Sequence, residues 1–168
     1  MKLVIFAATC LLASSLHAQM LGRAAPTADA SVNEMVQALT PAPAGKTRGM
    51  RNIKVTPSKL DLTVNFEFGS AQLQAESKPL LQRLASAMNN DALRGLRFEI
   101  QGHTDAKGTA SYNNALSQRR AQAVLNFLAE NNVSRLRLES VGKGFNELLD
   151  PQEPLSALNR RVRVLTLE

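Results

Sequence analysis

Between residues 60 and 66 apolar side chains alternate with polar ones, as Leu60, Leu62, Val64 and Phe66. That period of two predicts a half-buried strand ending at Gly69-Ser70. From about Glu76 to Met88 the spacing lengthens. Leu80, Leu81, Leu84, Ala85 and Met88 recur at helical intervals, with Pro79 tolerable only in the first turn. Leu96, Phe98 and Ile100 return to strand alternation, Gly102 to Ala110 reads as a loop, and Ser111 to about Asn131 as a second helix. Leu136, Leu138 and Val141 predict a third strand closed by Gly142-Lys143-Gly144. A polar loop through Pro151 and Pro154 follows, with one helical turn near Leu155 to Leu158, and Arg161 to Leu167 is a last strand. The order is that of an α/β domain (an α+β sandwich) with helices packed on a mixed four-stranded sheet. No internal repeat is visible, and four short strands cannot close a membrane barrel.

The segment ahead of this pattern is different. Residues 1–18 read as a secretory signal peptide: Lys2, an apolar run from Leu3 to Leu16, and a small-residue cleavage site at Leu16-His17-Ala18. The run is shorter than the roughly 20 residues that span a bilayer, so the mature chain is expected to carry no transmembrane segment. Cys10, the sole cysteine, lies inside the run, whereas a lipid-modified cysteine would end it. Cleavage after Ala18 leaves a chain without disulfides, thiol catalysis or thiolate metal ligands. Residues 19–54 have a linker composition, rich in Ala and Pro and basic, with one short helical island at 31–39 carrying Val32, Met35, Val36 and Leu39. The island could dock on the domain or on a partner, or form a transient helix in a disordered tether. The folded domain is placed at 55–168.

The formal net charge of +6 invites a nucleic-acid reading, so its location matters. Arg23, Lys46, Arg48, Arg51 and Lys54 face only Asp29 and Glu34 in the leading segment, while the domain is close to balanced. The basicity belongs to a tail, and export removes nucleic acid as a partner.

On the second helix, a projection at about 100° per residue places Arg120 in the middle of an arc made by Leu116, Ala123, Val124 and Phe127, with Asn113 on the same line. Arg119 points elsewhere. A guanidinium on a core-facing stripe is costly unless its donors are met, and Asp105 lies in the loop just before this helix. Two readings follow. The pair is an internal ion bridge that fixes the loop, or it is split, each charge keeping capacity for a ligand. A carboxylate that accepts from an ammonium, beside a guanidinium that grips a carboxylate, is complementary to a zwitterionic amino-acid end. Ligands of α/β sheets commonly bind outside strand ends of this kind.

Gly102-His103-Thr104-Asp105, then Gly108, Tyr112-Asn113, Leu116-Ser117 and Arg119-Arg120-Ala121 with Val124, resembles the peptidoglycan-binding motif of the outer membrane protein A C-terminal-like (OmpA-like) family. Phe66-Glu67-Phe68-Gly69-Ser70, Gly142-Lys143-Gly144 and Asn159-Arg160-Arg161-Val162 extend the resemblance over about residues 55–168. It implies a β-α-β-α-β(-α)-β domain that binds peptidoglycan noncovalently through the diaminopimelate of the stem peptide. The family's aspartate and second arginine carry over to Asp105 and Arg120. Phe68, Gly69, Thr104, Asn113, Leu116 and Arg160 match supporting positions, Arg160 less firmly because either arginine of the 160–161 pair could brace the fold. Gly69 stands where many members have Asp or Asn.

Other chemistries fit less well. His103 is the only histidine outside the signal peptide, so no metal site is expected, and as a strand-end residue it is expected to hydrogen-bond in the loop. Ser117, His103 and Asp105 lack a nucleophile elbow, Asp105 has no second carboxylate for glycoside hydrolysis, and Gly142-Lys143-Gly144 is not a nucleotide loop. No cofactor is implied. The expectation is therefore a non-enzymatic periplasmic module, in reach of the outer membrane, that binds the peptidoglycan stem peptide and could meet envelope proteins through its leading segment. The alternative is an envelope-complex interaction module in which Asp105 and Arg120 form an internal salt bridge.

Overall fold

The period-two stretches become the strands of one mixed sheet in a computed structural model that describes residues 29–42 and 57–167. The expected signal peptide and most of the expected linker lie outside the described residues. The elements are α1 (Val32–Leu39), β1 (Lys59–Leu62), α2 (Lys78–Met88), β2 (Arg97–His103), α3 (Ala110–Glu130), β3 (Leu138–Gly144) and β4 (Val162–Leu167). In space the strands run β1-β4-β2-β3, with β4 antiparallel to both neighbours and β2 parallel to β3. Leu62 pairs with Val162, Val162 with Gly102, and Gly102 with Gly142. The C-terminal ends of β1, β2 and β3 therefore converge with the start of β4 at one end of the sheet.

Alternation sorts the two faces. Leu60, Leu62, Phe98, Ile100, Val162 and Val164 are buried against α2 and α3, where Leu81, Leu84, Met88, Val124 and Leu128 complete the core. On the other face Asp61, Arg163 and Arg161 form a buried ion network: Arg163 donates to both Asp61 oxygens at 2.8 and 2.9 Å, and Arg161 Nε donates to Oδ1 at 3.1 Å. The loop after β3 roofs this face, its Glu147 carbonyl accepting from Arg161 Nη2 at 3.0 Å. Burial by itself would raise the Asp61 carboxyl, but the hydrogen bond and charge of Arg163, with Arg161 behind it, outweigh that and hold it below its ordinary range.

Three expectations shift. The first strand stops at Leu62; Phe66 is not part of it but bridges Leu73 across a small hairpin, because the chain turns at Gly69, whose φ of +63° suits a residue without Cβ. Leu136 is not in a strand: it sits in a short 3-10 turn and points into solvent. The turn expected near Leu155 to Leu158 forms over Ala157–Asn159.

The island ahead of the domain docks on it. Ser31 and Glu34 close a reciprocal cap on α1, the side chain of each meeting the backbone of the other. Met35 and Leu39 are fully buried in the common core. Polar contacts fasten the helix at both ends: Arg83 Nε donates to the Ala30 carbonyl at 2.9 Å, and Thr166 Oγ1 to that of Leu39 at 2.7 Å.

Candidate ligand-binding site

Glycines bring α3 down onto the strand ends. A Cβ on Gly142 would lie 2.5 Å from the Gln118 backbone nitrogen and 2.8 Å from the Asn114 carbonyl oxygen, and one on Gly102 would collide with the Ser117 carbonyl. Ser117 then fills the seam: its hydroxyl donates to the Asn114 carbonyl and accepts from the Gly144 amide, both at 2.9 Å. This close approach rotates the buried side of α3 toward Ser117, Ala121 and Leu125. Arg120 consequently lies on the flank of the buried arc, half-buried, and not at its middle as the projection had it.

Asp105 follows β2 in a loop that is pinned from several sides. Thr109 caps α3, accepting from the Tyr112 amide. Asn113, buried, donates from Nδ2 to the carbonyls of Lys107 at 2.8 Å and Thr109 at 3.1 Å. The Thr104 amide reaches the Gly144 carbonyl at 2.9 Å, and the Ala106 amide that of Pro154 at 3.0 Å. Asn113 and Thr104 thus shape the loop, Leu116 is buried, and Phe68 stands wholly exposed on the hairpin tip beside Gly69.

The charges do not pair as the internal-bridge reading required. Asp105 Oδ2 accepts from Arg160 Nη1 at 2.8 Å, and Oδ1 from the Lys107 amide at 3.2 Å. Arg120 makes no ion pair among the described residues; its Nε donates to the Ser70 carbonyl at 2.9 Å, and its guanidinium lies 4.9 Å from the centre of the Phe66 ring. Burial holds that guanidinium below its ordinary range, with Arg160 adding to the effect and Tyr112 and Asp105 opposing it. Arg120 and Arg160 line one narrow crevice with Val64, Phe66 and His103. Arg161 lines it too but is paired with Asp61, and the lining residues include no carboxylate.

The 160–161 pair divides its labour. Arg161 is buried in the Asp61 network, while Arg160 faces Asp105. His103 is buried, and among the described residues neither ring nitrogen has a hydrogen-bond partner, contrary to the expected loop role. Burial, with the Arg161 and Arg163 charges, pushes the imidazole down to about 3, so it is neutral. Sequence reasoning passed over Asp61 and Arg163. The signal was there: Asp61 interrupts Leu60 and Leu62, and Arg161 and Arg163 alternate with Val162 and Val164, so opposite charges were bound for one sheet face.

Comparison with known proteins agrees with this architecture. A family model described as the OmpA family matches residues 65–161, and the chain belongs to that family. The peptidoglycan-associated lipoprotein of Pseudomonas aeruginosa is 38% identical over 104 residues, which cover 61% of this chain and 60% of that one. That of Agrobacterium fabrum is 29% identical over 116 residues, 66% of this chain and 64% of that one. The chain thus spans less than two thirds of the length of these relatives. The crystal structure of the peptidoglycan-associated lipoprotein from Burkholderia pseudomallei aligns with a TM-score of 0.53 at 34% identity, covering 62% of this chain and 88% of that one. The periplasmic domain of Helicobacter pylori MotB shares the fold, with a TM-score of 0.57 at 20% identity over 69% of this chain and 85% of that one. Among the described residues no helix is long and apolar enough to cross a membrane.

Proposed function

We propose that this domain binds peptidoglycan noncovalently in the periplasm and so ties the chain to the cell wall. Its ligand is the zwitterionic centre of diaminopimelate in the stem peptide. Asp105 accepts from the ligand ammonium, Arg120 grips the carboxylate, and Arg160 and the Phe68-Gly69 hairpin border them. The observation that carries this reading is Arg120. It is a half-buried guanidinium with no carboxylate partner among the described residues, lining the same crevice as the Asp105-bound Arg160. Charge-assisted, forked pairing with a ligand carboxylate would satisfy its remaining donors. The P. aeruginosa and B. pseudomallei relatives, named for their association with peptidoglycan, support the same ligand class.

Co-sedimentation with purified sacculi tests the proposal. Wild type pellets, and free diaminopimelate releases it. Asp105→Ala and Arg120→Ala, shown to be folded by circular dichroism, stay in the supernatant. Folded variants that pellet like wild type would refute the assignment.

A further inference from the structure

We infer that Arg160 sets the selectivity of the site: it occupies the ammonium-accepting oxygen of Asp105 and yields it only to a ligand that brings its own carboxylate. This rests on the reading of the site as a receptor for a zwitterionic end, and it assigns the rejection of other ammonium groups to one residue.

Arg160 is built for such an exchange. Its backbone is held firmly. Fully buried Asn159 accepts from the Asp150 amide and donates to the carbonyls of Asp150, Glu153 and Pro154, and Pro154 in turn holds the Asp105 loop through Ala106. Its side chain is held loosely. It is 48% exposed and among the described residues makes one ion pair, to an Asp105 side chain that is only 15% exposed. Solvent screening at the half-exposed Arg160 end keeps the pair weak, so it opens at little cost.

Two classes of ligand then differ in the ion pairs that they can make at the site. A ligand with only an ammonium group trades one ion pair for another: it gains Asp105, strands Arg160, and gives up its own hydration for nothing. A zwitterion displaces Arg160 from Asp105 and at once supplies the carboxylate on which both Arg160 and Arg120 can close. One pair is lost and at least two form. The discrimination is a difference of affinities created by an internal competitor, not by shape. A diamino acid whose side-chain ammonium carries a neighbouring carboxylate is accepted, and one that ends in a bare ammonium, as lysine does, is turned away.

Calorimetric titration of the full chain with two probes tests this: meso-diaminopimelate, and Nα-acetyl-lysine amide, which has the ammonium but no free carboxylate. Wild type should bind the first and discriminate against the second. In Arg160→Gln the ratio of the two affinities should shrink by up to about fivefold, about 1 kcal/mol, because the lysine derivative no longer displaces Arg160 and binds more tightly. Arg160→Lys, which keeps a competing cation, should restore part of the gap. If the lysine derivative gains nothing in Arg160→Gln, the role of Arg160 is overturned while diaminopimelate binding stands. If wild type does not bind diaminopimelate at all, the reading of the site falls, and this inference with it.

Discussion

Nη1 of Arg160 lies 2.8 Å from Oδ2 of Asp105, so the carboxylate at the head of the site is shared with the loop before β4 and not with α3. The Arg160 end is half-exposed, so solvent screens the pair and its expected contribution to stability is small, about 1 kcal/mol at most. Asp105→Asn should therefore melt close to wild type in a urea titration, yet lose sacculus pelleting. A variant that unfolds early would show that Asp105 acts as a structural brace.

Asp61 behaves oppositely. Its Ala variant removes the carboxylate that buried Arg161 and Arg163 share, and breaking a buried ion pair from one side costs about 3 to 5 kcal/mol. Denaturant unfolding of Asp61→Ala should show a loss of that order. A loss below about 1 kcal/mol would mean that Glu147 or solvent takes over the pairing.

The docked α1 makes its own prediction. Met35 and Leu39 are fully buried, and truncating such side chains to Ala costs about 2 to 5 kcal/mol. Met35→Ala and Leu39→Ala should each lower the urea midpoint of the whole domain in a single transition. Unchanged midpoints would make α1 a passenger on the tether.

Gly142→Ala probes the seam under α3. The added methyl meets backbone atoms of Gln118 and Asn114, not flexible side chains. The helix must lift, at a cost of about 1 to 3 kcal/mol. Because the same helix carries Arg120, sacculus binding should weaken as well, measurable at a temperature where the variant is still folded.

Acid sensitivity follows from His103. Its folded value of about 3 lies below the ordinary 6.5. Between those values the unfolded chain takes up a proton that the folded chain refuses, so stability falls as pH drops from about 6.5 toward 3. Asp61, held below its ordinary range, adds a loss in the same direction only once pH falls below the usual carboxylate range near 4. Urea midpoints at pH 7, 6, 5 and 4.5 should decline in wild type, and more shallowly in His103→Leu. Parallel slopes in the two proteins would remove His103 as the cause.

Much of this architecture was legible because periodicity reports burial. Leu60 and Leu62, Phe98 and Ile100, and Leu80 to Met88 all pack where their spacing put them. What escaped depends on relations between elements. Nothing within α3 says that Gly102 and Gly142 will draw its Ser117 side onto the sheet and move Arg120 to the flank. Nothing local separates Arg160 from Arg161 either; their split follows from the register of β4 against β1, which turns one toward Asp61 and leaves the other at the strand end. Asp105 and Arg120 were recognisable as a pair of interest, but that Asp105 bonds a third residue requires the fold of the 145–160 loop.

Thr166, near one end of β4, holds the carbonyl of Leu39, and Arg160 stands just beyond the other end. The leading segment and the site are thus fastened to opposite ends of one strand, about 20 Å long. Tension between a wall-held ligand and the leading segment would run along β4, which antiparallel neighbours grip on both sides. A pull between the two ends of one strand is carried by its covalent backbone, which the neighbouring ladders hold straight, so the contacts at either end of β4, and not the sheet, set the load such a link can bear.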